Sequence, residues 1–256
     1  MTKSFERGGR WLGAIPILGL FMLWQGASNA GLISPFLLPA PTAVVIRLVT
    51  QLGDLVFLQH VGITLMRLLA GFIIAVLIGV SLGLVAAANR AADSVLRPLV
   101  QLLAPIPKVA LYPAFLLTLG FGSGSKIALV ATDAMFPILL ATYAGARLVD
   151  PKLVWSLRAA GASSRRAAIA VLLPAAMPSI LTGCRIGLII SCVVVFLAEM
   201  ITSSDGLGHL LVRAARSFQT IDMFVPIVLI SLLGLAANVG LTTLRRRLLR
   251  GFPEEA

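Results

Sequence analysis

Residues 63–88 read ITLMRLLAGFIIAVLIGVSLGLVAAA and form an apolar run with a single charged residue, Arg67. About 20 consecutive apolar residues in a helix cross the ~30 Å hydrocarbon layer of a membrane. A helix is the expected structure for such a run, because it satisfies its own backbone hydrogen bonds in lipid. The stretch therefore predicts a membrane-spanning helix.

The composition of the whole chain supports this interpretation. Of the 256 residues, 59% are hydrophobic and 12% are charged, and the mean hydropathy is +1.00. Since a soluble domain is about 25% charged, the bilayer must be the solvent for much of this surface. We predict an all-α integral membrane protein with six transmembrane helices, at residues 11–28, 63–88, 96–121, 126–148, 179–202 and 223–243.

Basic residues set the predicted orientation. The net charge is +11, and most of the 21 Lys and Arg residues lie in segments on the same side as the N-terminus. Cytoplasmic loops carry such an excess, so we expect both termini in the cytoplasm and no nucleic-acid partner. The predicted organisation is a cytoplasmic tail over residues 1–10, a six-helix transmembrane domain over 11–244 and a cytoplasmic tail over 245–256.

Two segments differ from simple spans. Residues 34–60 hold three prolines and then a moderately apolar stretch, which predicts an outer linker with a surface helix. Residues 148–178 form the longest inner loop, and a loop that only reverses the chain is far shorter. We expect short helices beneath the membrane there, in contact with another protein.

Residues 157–178 of that inner loop read LRAAGASSRRAAIAVLLPAAMP. The pattern predicts a helix, a break at Gly161, a second short helix begun by Ser163 or Ser164, and a stop at Pro174. Its small residues would let another surface approach closely, and its arginines offer charge to an acidic partner. An amphipathic loop resting on lipid headgroups is the equal alternative on physical grounds.

The chain resembles the inner-membrane permeases of bacterial ABC importers, in the branch for nitrate, sulfonates, taurine and bicarbonate. The family has a loop helix that sits in a cleft of the ATPase, and Gly161 and Leu173–Pro174 match its glycine and its Leu-Pro. The family's glutamate six residues before the glycine is replaced by Trp155. The resemblance implies an ATPase-coupling loop that contains Trp155, Arg158, Ala159, Ala160, Gly161, Ala162, Ser163, Arg165 and Arg166.

Shorter stretches elsewhere carry the same resemblance. They are LPAP at 38–41, TLMR at 64–67, PIPKVALYP at 105–113, FPIL at 136–139, and AE at 198–199 followed by GLG at 206–208. The resemblance implies a type I importer fold, a second permease copy, ATP-binding subunits that hold ATP and Mg in the cytoplasm, and a solute-binding protein outside. It also implies that the bacterial cytoplasmic membrane is the location, and that a small anionic solute crosses by alternating access.

Charged residues inside spans are costly, which makes them functional candidates. Lys108 lies in a proline-rich stretch that breaks its helix, and it either attracts an anion or pairs with a structural carboxylate. Asp133 either pairs with Lys108, which is favoured, or lines the translocation path. Glu199 either belongs to an outer gate or holds the turn at 206–208, and we favour a structural gate role.

Other side chains have simpler interpretations. Arg67 is expected to extend to the lipid headgroups. Cys184 and Cys192 lie about 12 Å apart along one predicted helix, too far for a disulfide. The sequence has no cluster of metal ligands and no nucleophile beside a base, so we expect no metal, no cofactor and no catalytic residue. The alternative function is a secondary transporter driven by an ion gradient, with Asp133 and Glu199 as the coupling carboxylates.

Overall fold

The computed structural model describes residues 5–163, 166 and 168–249, and of residues 5–14, 17, 151 and 168 the backbone alone. Every regular element in these ranges is helical. The helices are α1 (Phe5–Asn29), α2 (Pro41–Gln51), α3 (Leu55–Ala88), α4 (Arg90–Leu103), α5 (Tyr112–Leu119), α6 (Ser123–Arg147), α7 (Pro151–Ala159), α8 (Leu173–Thr202), α9 (Leu207–Arg216) and α10 (Thr220–Leu248). A 3₁₀ turn (Lys108–Leu111) precedes α5, and a π-helical turn (Ala168–Leu172) precedes α8.

Within the described ranges, four helices are long and apolar enough to cross a membrane: α3, α6, α10, and α8 with the turn before it from Ile169. A fifth span is possible where α4 and the segment Lys108–Leu119 form a pair bent by 91°. The bend confirms the break that the prolines predict. The first predicted span lies within α1, which is not among these helices, so the number six stays a prediction.

Several helices extend beyond the predicted spans, and one predicted helix end is wrong. α3 begins at Leu55 rather than at residue 63, because the side chain of Asp54 accepts a hydrogen bond from the Val56 N–H at 2.9 Å and so caps an earlier first turn. The helix that was predicted to stop at Pro174 does not stop there. The π-helical turn runs directly into α8, so Pro174 lies in a helix that continues from Ile169, and the irregular turn before it accommodates the N–H that proline lacks.

The chain divides into two compact units, of which the larger comprises residues 61–209 and 230–256. In this unit α3 and α8 both contact α6 closely. A Cβ added to Gly71 would lie 2.6 Å from Cγ1 of Val130, and one added to Gly183 would lie 2.7 Å from Cβ of Ala141. Small residues at such contacts let helices in membranes approach closely, which fixes the three helices against one another.

The smaller unit comprises residues 1–60 and 210–229. Trp24 of α1 packs against Phe224 of α10, with ring centroids 6.0 Å apart. The short helix predicted between residues 34 and 60 is α2, and its Arg47 lies 2.6 Å from the carboxylate of Asp222. The hydrogen bond and the charge of Asp222 raise the pKa of Arg47 above its ordinary value.

Candidate functional site

A buried ion pair joins α3 to the end of α8 in the larger unit. Nη1 of Arg67 lies 2.9 Å from Oε1 of Glu199, and the two side chains are 2% and 0% exposed. Burying two charges costs several kcal/mol each unless their hydrogen-bonding groups are satisfied. The pair therefore requires further partners, and the structure supplies them on both sides.

Glu199 accepts described hydrogen bonds from two groups besides Arg67. The hydroxyl of Thr64 donates to it at 2.9 Å, and the backbone N–H of Gly208 donates at 3.1 Å. Gly206 lies directly against the carboxylate with φ +93°, where any Cβ would overlap it. The turn between α8 and α9 thus needs glycine at this position, both for its left-handed backbone and for the space beside Glu199.

Arg67 uses its remaining donors on the same turn and on the loop before α6. It forms a second ion pair with Asp205, and its Nε donates to the hydroxyl of Ser123 at 3.0 Å. Lys126 lies nearby with no exposed area, and its Nζ donates to the carbonyls of Phe121 at 2.7 Å and Gly122 at 3.1 Å. The charged groups at these helix ends therefore form ion pairs or hydrogen bonds with other groups of the protein.

We call this group the outer-end cluster, after the side on which the predicted orientation would place it; it is formed by Thr64, Arg67, Lys126, Glu199 and Asp205. The expectation that Arg67 extends to lipid headgroups is wrong, because its guanidinium is enclosed by carboxylates of α8 and of the following turn. The hydrogen bond to Gly208 gives Glu199 the turn-holding contact considered above. Whether Glu199 also serves an outer gate stays a prediction.

Lys108 and Asp133 do not form the ion pair that was favoured above. Nζ of Lys108 donates to the carbonyl of Ala104 at 2.6 Å and lies 4.4 Å from the ring centroid of Phe136. Lys108 is 9% exposed. Among the described residues, however, the ion pairs are those of Arg47 and Arg67, and neither Lys108 nor Asp133 takes part in one.

The predicted coupling loop has an exposed helix followed by a turn. α7 is capped by Asp150, whose side chain accepts from the N–H of Lys152 at 2.9 Å. Trp155 is 65% exposed, and Arg158 is exposed at the end of the helix. The helix is broken at Gly161 as predicted. This glycine has φ +87° and open space where a side chain would lie.

The described residues on both sides of this glycine are largely exposed. Ala159 and Ala160 are exposed and Ala162 is partly buried. The hydroxyl of Ser163 accepts from the N–H of Arg166 at 3.3 Å, as a residue that caps a second helix does. Ser164 and Arg165 lie outside the described residues. The loop as a whole stays a predicted contact site, with apolar and basic side chains open to a partner.

Comparison with known proteins shows the family to which the chain belongs. Residues 75–251 match the family described as binding-protein-dependent transport system inner membrane component. The chain belongs to this family. It is 36% identical over 253 residues, 99% of this chain and 95% of the relative, to a putative aliphatic sulfonates transport permease protein of Escherichia coli (strain K12). It is 31% identical to the taurine transport system permease protein of the same organism, over 90% of this chain and 85% of the relative.

A solved structure gives the same fold for this permease. The chain superposes on a structure titled inward facing conformations of the MetNI methionine ABC transporter with a TM-score of 0.67, covering 76% of this chain and 97% of that one. The sequences are 18% identical, so this match speaks for the fold alone. The type I importer fold that the resemblance implied is thus supported by the arrangement of helices as well.

The permease is a transport subunit and not an enzyme. In the ranges that the structure describes, no group of three or more His, Cys, Asp or Glu side chains could hold a metal ion.

Cys184 and Cys192 are both free thiols, as their spacing predicted. Neither the relatives nor the geometry favours the ion-driven carrier, since Glu199 is held in an ion pair and by the turn.

Proposed function

We propose that this permease forms the membrane path for a small organic anion of the sulfonate class and opens it by alternating access. The observation that carries the substrate class is the alignment of 99% of this chain with a permease named for aliphatic sulfonates. The taurine permease supports the same class, since taurine is itself a sulfonate. A relative named for formylaminopyrimidine, 29% identical over 91% of this chain, is the main evidence for a different solute.

The proposed complex contains two copies of the permease, cytoplasmic subunits that bind ATP and Mg, and an external solute-binding protein. We place it in a bacterial cytoplasmic membrane with six spans and both termini inside. The basic residues at the end of α10 support this orientation, because Arg245, Arg246 and Arg247 would then lie on the cytoplasmic side.

The proposed contact with the ATPase is the segment from Trp155 to Arg166. Exposed Trp155 offers an apolar anchor and Arg158 a charge, and such side chains dominate binding energy at protein interfaces. Gly161 sets the direction in which the chain leaves α7 because φ +87° is strained for other residues. ATP-driven movement of the partner would thus be passed through this segment to α8.

The first experiment measures whether ATP-binding subunits co-purify with the detergent-solubilised permease. We expect Gly161→Ala to reduce their recovery, because an alanine there redirects the loop. Gly120→Ala is the matched control, since Gly120 also has positive φ (+76°) and open space but lies between α5 and α6. Equal recovery for both variants and the wild type would refute the coupling role. Failure of the native permease to recover any ATPase would refute the importer complex.

Lys108 is the proposed anion-attracting residue of the path. Its only described polar contact is the carbonyl of Ala104, so the ammonium keeps two donors for a solute oxygen. We expect Lys108→Gln to lower sulfonate uptake in reconstituted vesicles severalfold while ATPase recovery stays unchanged. Uptake equal to that of the wild type would show that Lys108 does not attract the substrate.

A further inference from the structure

A second set of cations lies in the larger unit, away from Lys108 and from the outer-end cluster. A cavity of about 190 Å³ opens where α6, α8 and α10 meet. It is lined by Ala141, Ala144, Pro178, Ser179, Thr182 and Arg245. Two of these residues are alanines of α6, whose small side chains occupy little of the space.

Arg185 extends the same polar face along α8. It lies three residues after Thr182, and residues so spaced are neighbours on one helix face. Its Nε donates to Oδ1 of Asn238 on α10 at 2.9 Å. Asn238 and Arg245 are seven residues apart, two turns along one face of α10, or about 10 Å. Arg245 lines the cavity and Arg185 lies beyond its lining; we call the strip of α8 and α10 that carries both side chains the arginine groove.

The position of Arg185 is costly in the absence of an anion. It lies 17 residues before the end of α8, about 25 Å along the helix axis, next to the exposed apolar side chains of Ile186 and Ile189. The Arg185 side chain is itself exposed, and a cation that faces hydrocarbon within a span is expensive, so groups of this kind mark substrate pathways. Yet the ion pairs in the described part of the chain are formed by other arginines.

The geometry of Arg185 is that of a prepared anion receptor. Its bond to Asn238 uses Nε and fixes the plane of the guanidinium, so the four N–H groups of Nη1 and Nη2 remain available. Two parallel N–H groups match two oxygens of a tetrahedral oxyanion. Ser179 adds a hydroxyl donor inside the cavity, whereas the Thr182 hydroxyl already donates to the carbonyl of Pro178 at 3.0 Å.

We propose that Arg185, oriented by Asn238, and Arg245 form an oxyanion-binding groove between α8 and α10 that receives the sulfonate headgroup of the solute within the path. The proposal rests on the proposed function for its solute. The chemistry is shared by the phosphate of an anionic phospholipid, and the test below distinguishes these two sources of the oxyanion.

The test uses the assembled transporter in nanodiscs of neutral phosphatidylcholine and measures binding of ethanesulfonate by titration calorimetry. We expect Arg185→Gln and Arg245→Gln each to weaken binding about tenfold or more, the effect of losing a charge-assisted hydrogen bond. Arg247→Gln is the control, because Arg247 is exposed two residues further along α10. Arg185→Lys keeps the charge without the paired donors. It should bind weakly as well, and it replaces Arg185→Gln if that variant does not assemble.

A second arm repeats the titration in nanodiscs that contain phosphatidylglycerol. If this lipid abolishes ethanesulfonate binding to the wild type and stays bound only when both arginines are present, the groove is an oxyanion site occupied by lipid. If neither ethanesulfonate nor phosphatidylglycerol binding depends on Arg185 or Arg245, the inference is overturned.

Uptake by the complete system separates this outcome from failure of the proposed function. If the wild type imports sulfonates and both variants import equally well, the groove has no role and the importer stands. If the wild type imports no sulfonate while binding still depends on the two arginines, the groove stands and the proposed substrate class fails.

Discussion

Replacing Arg67 by methionine tests whether the outer-end cluster is a stabilising unit. Methionine keeps the unbranched apolar stem but removes the guanidinium, which is 2% exposed and pairs with Glu199 and Asp205. Glu199 would then remain buried without its cationic partner, while its described hydrogen bonds to Thr64 and Gly208 stay in place. Asp205 is 36% exposed and can be rehydrated, so most of the loss falls on Glu199.

The expected loss is about 3–5 kcal/mol, the cost of removing one partner from a buried ion pair. In a chain of this length that loss lowers the midpoint of thermal unfolding by on the order of 10 °C. Adding Glu199→Gln should recover a large part of it, because the neutral amide still accepts from Thr64 without a buried charge. Arg47→Ala is the control, since the Arg47 side chain is 49% exposed and surface ion pairs contribute about 0–1 kcal/mol.

The assay is thermal unfolding of the purified permease in one fixed detergent, followed by circular dichroism. The reasoning is refuted if Arg67→Met unfolds within about 2 °C of the wild type, or within the range of the Arg47→Ala control. It is also refuted if the double variant with Glu199→Gln is as unstable as Arg67→Met alone, because the loss would then not come from the stranded carboxylate.

Two further predictions concern packing and coupling. Gly71→Ala should lower the unfolding midpoint, because its Cβ would lie 2.6 Å from Val130, whereas Gly62→Ala on the same helix meets nothing within 4 Å and should leave it unchanged. Equal midpoints would contradict the close contact of α3 with α6. Asp150→Ala should destabilise α7 by about 1 kcal/mol and reduce ATPase co-purification. Asp150→Ser retains a capping oxygen and should retain the ATPase, and loss with both variants would argue against the cap.

The spans were largely predictable from hydropathy, and the breaks from glycine and proline. Both signals are local, since a long apolar run must cross the bilayer and Gly161 is the residue that tolerates positive φ. Pro174 shows the limit of the same rule. A proline ends one helix or opens the next, and the sequence alone does not say which; here it lies in the first turn of α8.

The outer-end cluster was not predicted, because its members are far apart in sequence. Arg67 and Glu199 are separated by 132 residues, and Arg67 and Asp205 by 138. One signal was available. One span contains a single arginine, and another span has two carboxylates at its end. Each charge alone is costly in the membrane, and such residues pair with one another.

Four cations of the larger unit differ in how many of their N–H donors form hydrogen bonds. Arg67 donates to carboxylates, hydroxyls and a carbonyl, and Lys126 to two carbonyls, so these two have structural roles. Lys108 has one described polar partner, and Arg185 has one that leaves its paired donors unused. A cation left partly unsatisfied in a membrane protein lowers its energy when an anion arrives. The proposed preference for an anionic solute therefore has support in the charges of this chain, besides the names of its relatives.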